Sequence, residues 1–290
     1  MKTQLLVIAI VVILCACRNN QKTRDSSQNG KADTIRLEKA KPFFNRAAEE
    51  SDKQDFVAAF NDLSEAIKID PDYAGAYCMR AVARTESGDT NGTMSDFNEA
   101  INQNPQPLFY YFRGLYEWNY LHDSIQGLAD ESSAIKINPF YVKSLELRYE
   151  MRSALGDHSG ASDDVTQLIK LDSTKFYNYR YRGIEEYAIQ HYEKAIEDFS
   201  KAIDLNKNDT DSYFDRGMAE RKSEKYKDAF SDFTYALKLY PNFGLAYYNR
   251  GLIEIELSEH DKGCQDFHKA EDLGVKKATE ELSKNRCGVN

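Results

Sequence analysis

Seven aspartates recur along this chain at a fixed step of 34 residues: Asp62, Asp96, Asp130, Asp164, Asp198, Asp232 and Asp266. Seven arginines keep the same beat, Arg46, Arg80, Arg113, Arg148, Arg182, Arg216 and Arg250, with steps of 33 and 35 on either side of Arg113 and 34 elsewhere. A period of this length marks an architecture of stacked supersecondary units. Each unit buries its apolar face only against its neighbours. The apolar residues follow helical spacing, and no strand-like alternation competes with it. One elongated repeat domain is therefore expected.

The last three units show what one repeat contains. Around Arg250, Tyr247, Gly251 and Glu254 share one face of a first helix, while Gly263, Phe267 and Ala270 stripe a second. The sixth unit repeats this with Tyr213, Gly217, Ala229, Phe233 and Ala236, and the fifth with Tyr179, Gly183, Ala195, Phe199 and Ala202. Pro71, Pro105, Pro139 and Pro241 fall in phase at the helix stop. This pattern resembles the tetratricopeptide repeat. The resemblance implies an all-α fold: a right-handed superhelical solenoid of about seven helix-turn-helix repeats with a C-terminal capping helix. The expected repeats are 40–73, 74–106, 107–141, 142–175, 176–209, 210–243 and 244–275 within a domain at 39–275, followed by a cap and tail at 276–290.

Two repeats depart from the pattern. The third enters its first helix one residue early, recovers before Gly127 and carries Glu131 where others place an apolar residue. The fourth puts Tyr149 in the small-residue slot. Each periodic Arg and Asp is expected to point partly inward, where a charge needs a partner. An Arg–Asp pair within each unit or between adjoining units meets that need, because a guanidinium grips a carboxylate with two hydrogen bonds.

The N-terminus reads as a targeting segment. Lys2 precedes the apolar run Leu5 to Leu14, too short for a bilayer span of about 20 residues. Ala16-Cys17 resembles the lipobox of bacterial lipoproteins, which makes 1–16 a signal peptide and Cys17 the lipidated residue; an ordinary secretory leader is the alternative. Residues 17–38 are expected to form the lipidated terminus and a flexible tether, since 18–31 contain no apolar side chain. The implied location is the cell envelope, lipid-anchored, on the periplasmic side of an outer membrane. A net charge of −9 without a basic stripe argues against nucleic acid as a partner.

By resemblance, the first helices line a concave groove that takes an extended peptide or a partner helix. Positions two before, two after and five after each Arg should face it: Phe44, Ala48 and Ser51, then Cys78, Val82 and Thr85 in the first two repeats. Among the later ones, Tyr111, Trp118, Glu146, Glu150, Arg180, Tyr187, Phe214 and Tyr248 are the expected contacts. Packing against neighbouring helices is the competing use of these side chains. Glu146 and Glu150 either take a basic residue of a partner or are neutralised by Arg180, the second being favoured. The function expected is a non-catalytic protein-interaction scaffold; the alternative is a glycan-binding lipoprotein that stacks sugar rings on the same aromatics. No catalytic constellation and no cofactor are expected. His260, Cys264 and His268 share a helix face, but no fourth ligand is evident, so no metal is expected. In an oxidising compartment Cys264 and Cys287 are candidates for a disulfide that ties the cap to the last repeat, leaving Cys78 as an apolar filler.

Overall fold

The structure, a computed structural model, describes residues 28–287. The leader and Cys17 lie outside the described residues. Among the described residues no helix is long and apolar enough to cross a membrane.

The described chain is all helical. In order these are α1 (Gln28–Asp52), α2 (Phe56–Ile69), α3 (Ala74–Ser87), α4 (Thr93–Gln103), α5 (Pro107–Tyr116), a π-helical turn at Glu117–Leu121, α6 (Ser124–Ile137), α7 (Val142–Ala154), α8 (His158–Leu171), α9 (Phe176–Ala188), α10 (Tyr192–Leu205), α11 (Thr210–Lys222), α12 (Tyr226–Leu239), α13 (Gly244–Glu256), α14 (His260–Asp272) and α15 (Lys276–Lys284). Each helix whose packing is described lies against its neighbours in sequence. The helices pair as first and second members of successive hairpins, an arrangement shared with tetratricopeptide solenoids. The chain divides into two compact units, one ending at Leu147 and the other starting at Arg148.

The first unit has one continuous core, from Leu37 and Phe44 through Leu63, Met79 and Phe97 to Phe112 and Tyr116. The second is built around the periodic phenylalanines. Phe199, Phe233 and Phe267 are sealed from water, each in a cluster with apolar side chains of its own and adjoining helices. Glycine makes this possible. A Cβ on Gly183, Gly217 or Gly251 would come within about 3 Å of the ring of Phe199, Phe233 or Phe267 respectively. Gly251 and Gly263 also face each other across the last hairpin, where a Cβ on either would stand 3.0 Å from the other's carbonyl oxygen.

Within every hairpin the reversal uses a left-handed residue. Gln54, Gly88, His122, Gly156, Gln190, Glu224 and Ser258 all have φ between 55° and 81°, and they too are 34 residues apart. In five turns the next residue's N–H reaches a carbonyl five back, as in Asp55 to Glu50, Asp157 to Arg152, His191 to Glu186, Lys225 to Glu220 and Glu259 to Glu254. These bonds satisfy carbonyls that a helix C-terminus otherwise leaves unpaired. Asp55, Asp123, Asp157 and Asp209 cap α2, α6, α8 and α11 through their side chains.

The tether expected over 17–38 is corrected in its second half. Helix α1 already runs from Gln28 and buries Leu37 and Ala40. Pro42 lies inside it, 34 residues before Ala76 in the first turn of α3. That is where an ordinary first helix of a repeat would begin and where a missing N–H costs nothing. The irregular third repeat also has a physical account. Its extra residue is absorbed by the π-helical turn at Glu117–Leu121, after which the left-handed turn residue is back in phase at His122.

Candidate functional site

The periodic charges form rungs inside the hairpins. Arg80 Nε and Nη2 donate to the two carboxylate oxygens of Asp96 at 2.9 and 2.6 Å. The same fork joins Arg113 to Asp130 at 2.7 and 2.7 Å, Arg182 to Asp198 at 2.8 and 2.6 Å, Arg216 to Asp232 at 2.7 and 2.8 Å, and Arg250 to Asp266 at 2.6 and 2.9 Å. Arg46 grips Asp62 in the same way, and Arg148 donates from Nη2 to Asp164 at 2.6 Å. The pairs lie within repeats rather than between them.

In five rungs the third guanidinium nitrogen reaches the preceding repeat. Arg80 Nη1 donates to Ser64 at 3.4 Å, Arg182 to Thr166 at 3.2 Å, Arg216 to Ser200 at 3.0 Å and Arg250 to Thr234 at 3.3 Å; Arg113 uses Asn98. The planar cation also sits over the ring three residues earlier, at 5.1 Å for Arg46 and Phe43 and 5.5 Å for both Arg80 with Tyr77 and Arg250 with Tyr247. One arginine thus organises three helices. Lysine, with no planar fork, could not make this set of contacts.

The rung has a third member, of which the sequence alone had marked only Glu254 as sharing a face with its Arg. Four residues after Arg stands Glu50, Glu117, Glu186, Glu220 or Glu254, but Arg84 and Arg152 in the second and fourth repeats. Burial pushes the Glu220 carboxyl up to about 8, and the nearby Asp232 charge adds to this, against the pull of Arg216. Glu117 and Glu254 are raised to about 7 for the same reasons, with Asp130 and Asp266 as the neighbours. Glu186 goes the other way: burial raises it, but hydrogen bonds from Ser162 and His191 with the Lys194 charge outweigh that and leave it lowered. Recurrence of Glu at one offset from Arg in five of seven repeats was the signal available in the sequence.

The expected groove positions divide sharply by repeat. Phe44, Ala48, Ser51, Cys78 and Val82 are in the core rather than on a surface, a correction. Phe44 stacks on Tyr73 with ring centroids 4.8 Å apart. The side chains there are small or apolar, and close helix packing buries them. Later positions are half-buried or exposed. In the first unit Tyr111 packs edge-on to Phe112 and Tyr141, Trp118 is half-buried in the π-helical turn, and Glu146 is exposed. In the second unit, Arg180, Tyr187, Phe214 and Tyr248 occupy α9, α11 and α13 and keep part of their surface in water, while Glu150 is exposed. Packing claims the rest. Phe214 lies 4.7 Å from Phe243, Tyr187 5.4 Å from Tyr192 and Tyr248 6.0 Å from Phe267.

Of the expected neutralisation of Glu146 and Glu150 by Arg180, the Glu150 part is corrected. Arg180 Nε donates to Asp215 at 2.8 Å and Nη1 pairs with Asp211 at 3.1 Å, both on α11 of the next repeat. Burial raises the Asp215 carboxyl; Arg180 opposes the rise, and Asp211 and Asp209 add to it. A second guanidinium, that of Arg221 on α11, lies near Tyr187 and Tyr248.

At the C-terminus Cys264 on α14 is joined to Cys287 beyond α15 by a disulfide, with Cα atoms 5.4 Å apart. Cys78 is buried as a free thiol. Apolar contacts of Ala278 and Leu282 with Phe267 and Ala270 hold α15 over the end of the last hairpin.

Comparison with known proteins agrees with this architecture. A model of the tetratricopeptide repeat matches residues 187–209. No curated protein matches the chain. Among solved structures, the C-terminal part of a repeat-containing protein from Cytophaga hutchinsonii is 15% identical and superposes with a TM-score of 0.69, covering 82% of this chain and 99% of that one. A tetratricopeptide repeat protein from Parabacteroides merdae is 19% identical with a TM-score of 0.53, covering 85% and 98%. YrrB, described as a tetratricopeptide protein with an unusual peptide-binding site, is 19% identical with a TM-score of 0.55, covering 65% and 97%. At these identities the likeness is one of fold.

Proposed function

We propose that this chain of tetratricopeptide-type repeats is a non-catalytic interaction scaffold, anchored by lipid on Cys17 in a bacterial cell envelope, that binds a protein segment along the first helices of its second unit. One observation carries the reading. Arg180, Phe214 and Tyr248 hold one register position on α9, α11 and α13, two before the periodic Arg, with Tyr187 five after it on α9; all four stay partly open to water, while the strictly periodic charges are consumed inside the hairpins. Partly exposed aromatic side chains are the residue type that dominates interface energies. The peptide-binding description of the similarly folded YrrB is consistent with this use of the fold.

The test is photocrosslinking in intact cells from a photoreactive residue at Tyr187. A discrete protein adduct should form, and Phe214→Ala with Tyr248→Ala should abolish it. An absence of adduct, or an adduct indifferent to both substitutions, overturns the reading; saturable binding of a purified glycan to the same surface would replace it with the glycan-binding alternative. The anchor is tested separately. Cys17→Ala should lose both incorporation of a labelled fatty acid and recovery in the membrane fraction.

A further inference from the structure

Beyond the groove, the C-terminal cap holds a cluster with chemistry of its own. A ring nitrogen of His260 and the sulfurs of Cys264 and Cys287 lie within 4.8 Å of one another. The cluster differs from the one the sequence suggested. His268 is turned toward Glu271, 4.0 Å away, and Cys287 takes its place. Nε2 of His260 stands 2.7 Å from the backbone carbonyl oxygen of Asn285. A carbonyl only accepts, so Nε2 carries the proton, and in the neutral ring Nδ1 presents its lone pair. That lone pair faces Cys264 Sγ at 3.8 Å. A backbone carbonyl holding one ring N–H, with the other nitrogen turned toward sulfur, is the arrangement that orients metal-ligating histidines.

We propose that Cys264, Cys287 and His260 form a redox-gated zinc site, closed as a disulfide and opened by reduction. A dithiol reductant attacks one sulfur of the Cys264–Cys287 bond, passes through a mixed disulfide and leaves as its own cyclic disulfide. Two electrons and two protons end on the two cysteines. Zinc then displaces both thiol protons and takes two thiolates and the imidazole, with the fourth position filled by water or by the exposed carboxylate of Asp261, 3.7 Å from the ring. Cα atoms 5.4 Å apart suit either state. Two sulfurs at about 2.3 Å from a tetrahedral zinc would be roughly 3.8 Å apart, a separation reached by side-chain rotation. Both states fasten the end of the chain beyond α15 to α14, one covalently and one through the ion.

The test uses the full chain, purified in mild detergent, reduced with a phosphine, freed of metal and titrated with cobalt(II) as a spectroscopic probe for zinc. The expected result is one equivalent bound with thiolate-to-cobalt charge-transfer absorption, displaced by zinc. The oxidised chain should show no such band. His260→Ala, at an exposed position that leaves the fold intact by circular dichroism, should weaken binding at least tenfold, whereas His268→Ala and Cys78→Ser should leave it unchanged. Equal binding by oxidised and reduced chains, or a His260→Ala variant with unchanged affinity and spectrum, overturns the proposal.

Discussion

The second and sixth repeats solve one electrostatic problem in opposite ways. Both place an Arg–Asp fork between the helices of a hairpin. In the second repeat the residue four after Arg80 is Arg84, whose Nε lies 3.3 Å from Asp96, so one carboxylate is shared by two guanidiniums. In the sixth it is Glu220, with Oε1 3.9 Å from Arg216 Nε, so one guanidinium serves two carboxyl groups. The surplus cation of the second repeat is drained outward, where Arg84 bonds the Asn91 carbonyl oxygen, meets Asp89 at 3.4 Å and lies over Phe60. The surplus acid of the sixth makes no comparable set of bonds, with only the Lys225 charge nearby. Glu220 Oε2 is buried without a hydrogen bond, and burial with the Asp232 charge outweighs Arg216 and favours the protonated carboxyl. The fold thus fixes the place of the rung but not its sign.

Removing the shared carboxylate should separate the two cases most strongly. Asp96→Ala leaves Arg80 and Arg84, both largely buried, facing each other, and should cost about 3–5 kcal/mol. Asp232→Ala leaves Arg216 with Glu220, which can give up its proton and replace the lost partner, so about 1–3 kcal/mol is expected. Urea denaturation at pH 7, followed by circular dichroism, measures both. Equal losses would mean that the fourth residue plays no part in the rung.

A second contrast is steric. Repeats five to seven set Gly against Phe, whereas the third sets Gly114 against Glu131 and the fourth carries Tyr149 with Val165 in the Phe position. In the fourth, bulk has moved from one side of the hairpin to the other. Gly217→Ala, whose Cβ would meet the Phe233 ring at 3.0 Å, should therefore destabilise by about 1–3 kcal/mol. Combining it with Phe233→Val should recover part of the loss, and a double variant no better than the sum of the single ones would refute that exchange.

These contrasts also show what the sequence could convey. The Arg and Asp positions and the helix pairs were legible because one residue type recurs at one place. The 33- and 35-residue steps around Arg113 announced an irregularity, though not that a π-helical turn would absorb it. The left-handed turn residues were missed because Gln, Gly, His, Glu and Ser share that place, so only the conformation repeats. The start of α1 was missed because its first turns are polar and Leu37 and Ala40 are buried only once the helices pack. The partner of Arg180 depends on the register between α9 and α11, which no spacing within one repeat reveals. The groove positions of the first two repeats failed for a related reason: the register is shared, but their neighbours cover it.

The smallest expected effect is also the one that isolates the proton. Glu220, Glu117 and Glu254 titrate near 4.5 when unfolded and at about 8, 7 and 7 when folded. Between those values the folded chain holds protons that the unfolded chain has released, so these groups make stability fall as pH rises from about 5 to 8. Glu186, lowered in the fold, contributes with the opposite sign and loses its contribution on acidification. Glu220→Gln supplies a neutral side chain of the same shape. It should raise stability at pH 8 by on the order of 1 kcal/mol, the scale of one pKa unit, and change little at pH 5. In the second repeat Arg84 occupies the equivalent place, so Arg84→Gln should show no comparable gain at pH 8. Thermal melts of both variants across that range decide the matter, and a Glu220→Gln effect independent of pH would show that the carboxyl is charged throughout and neutralised by something other than a proton.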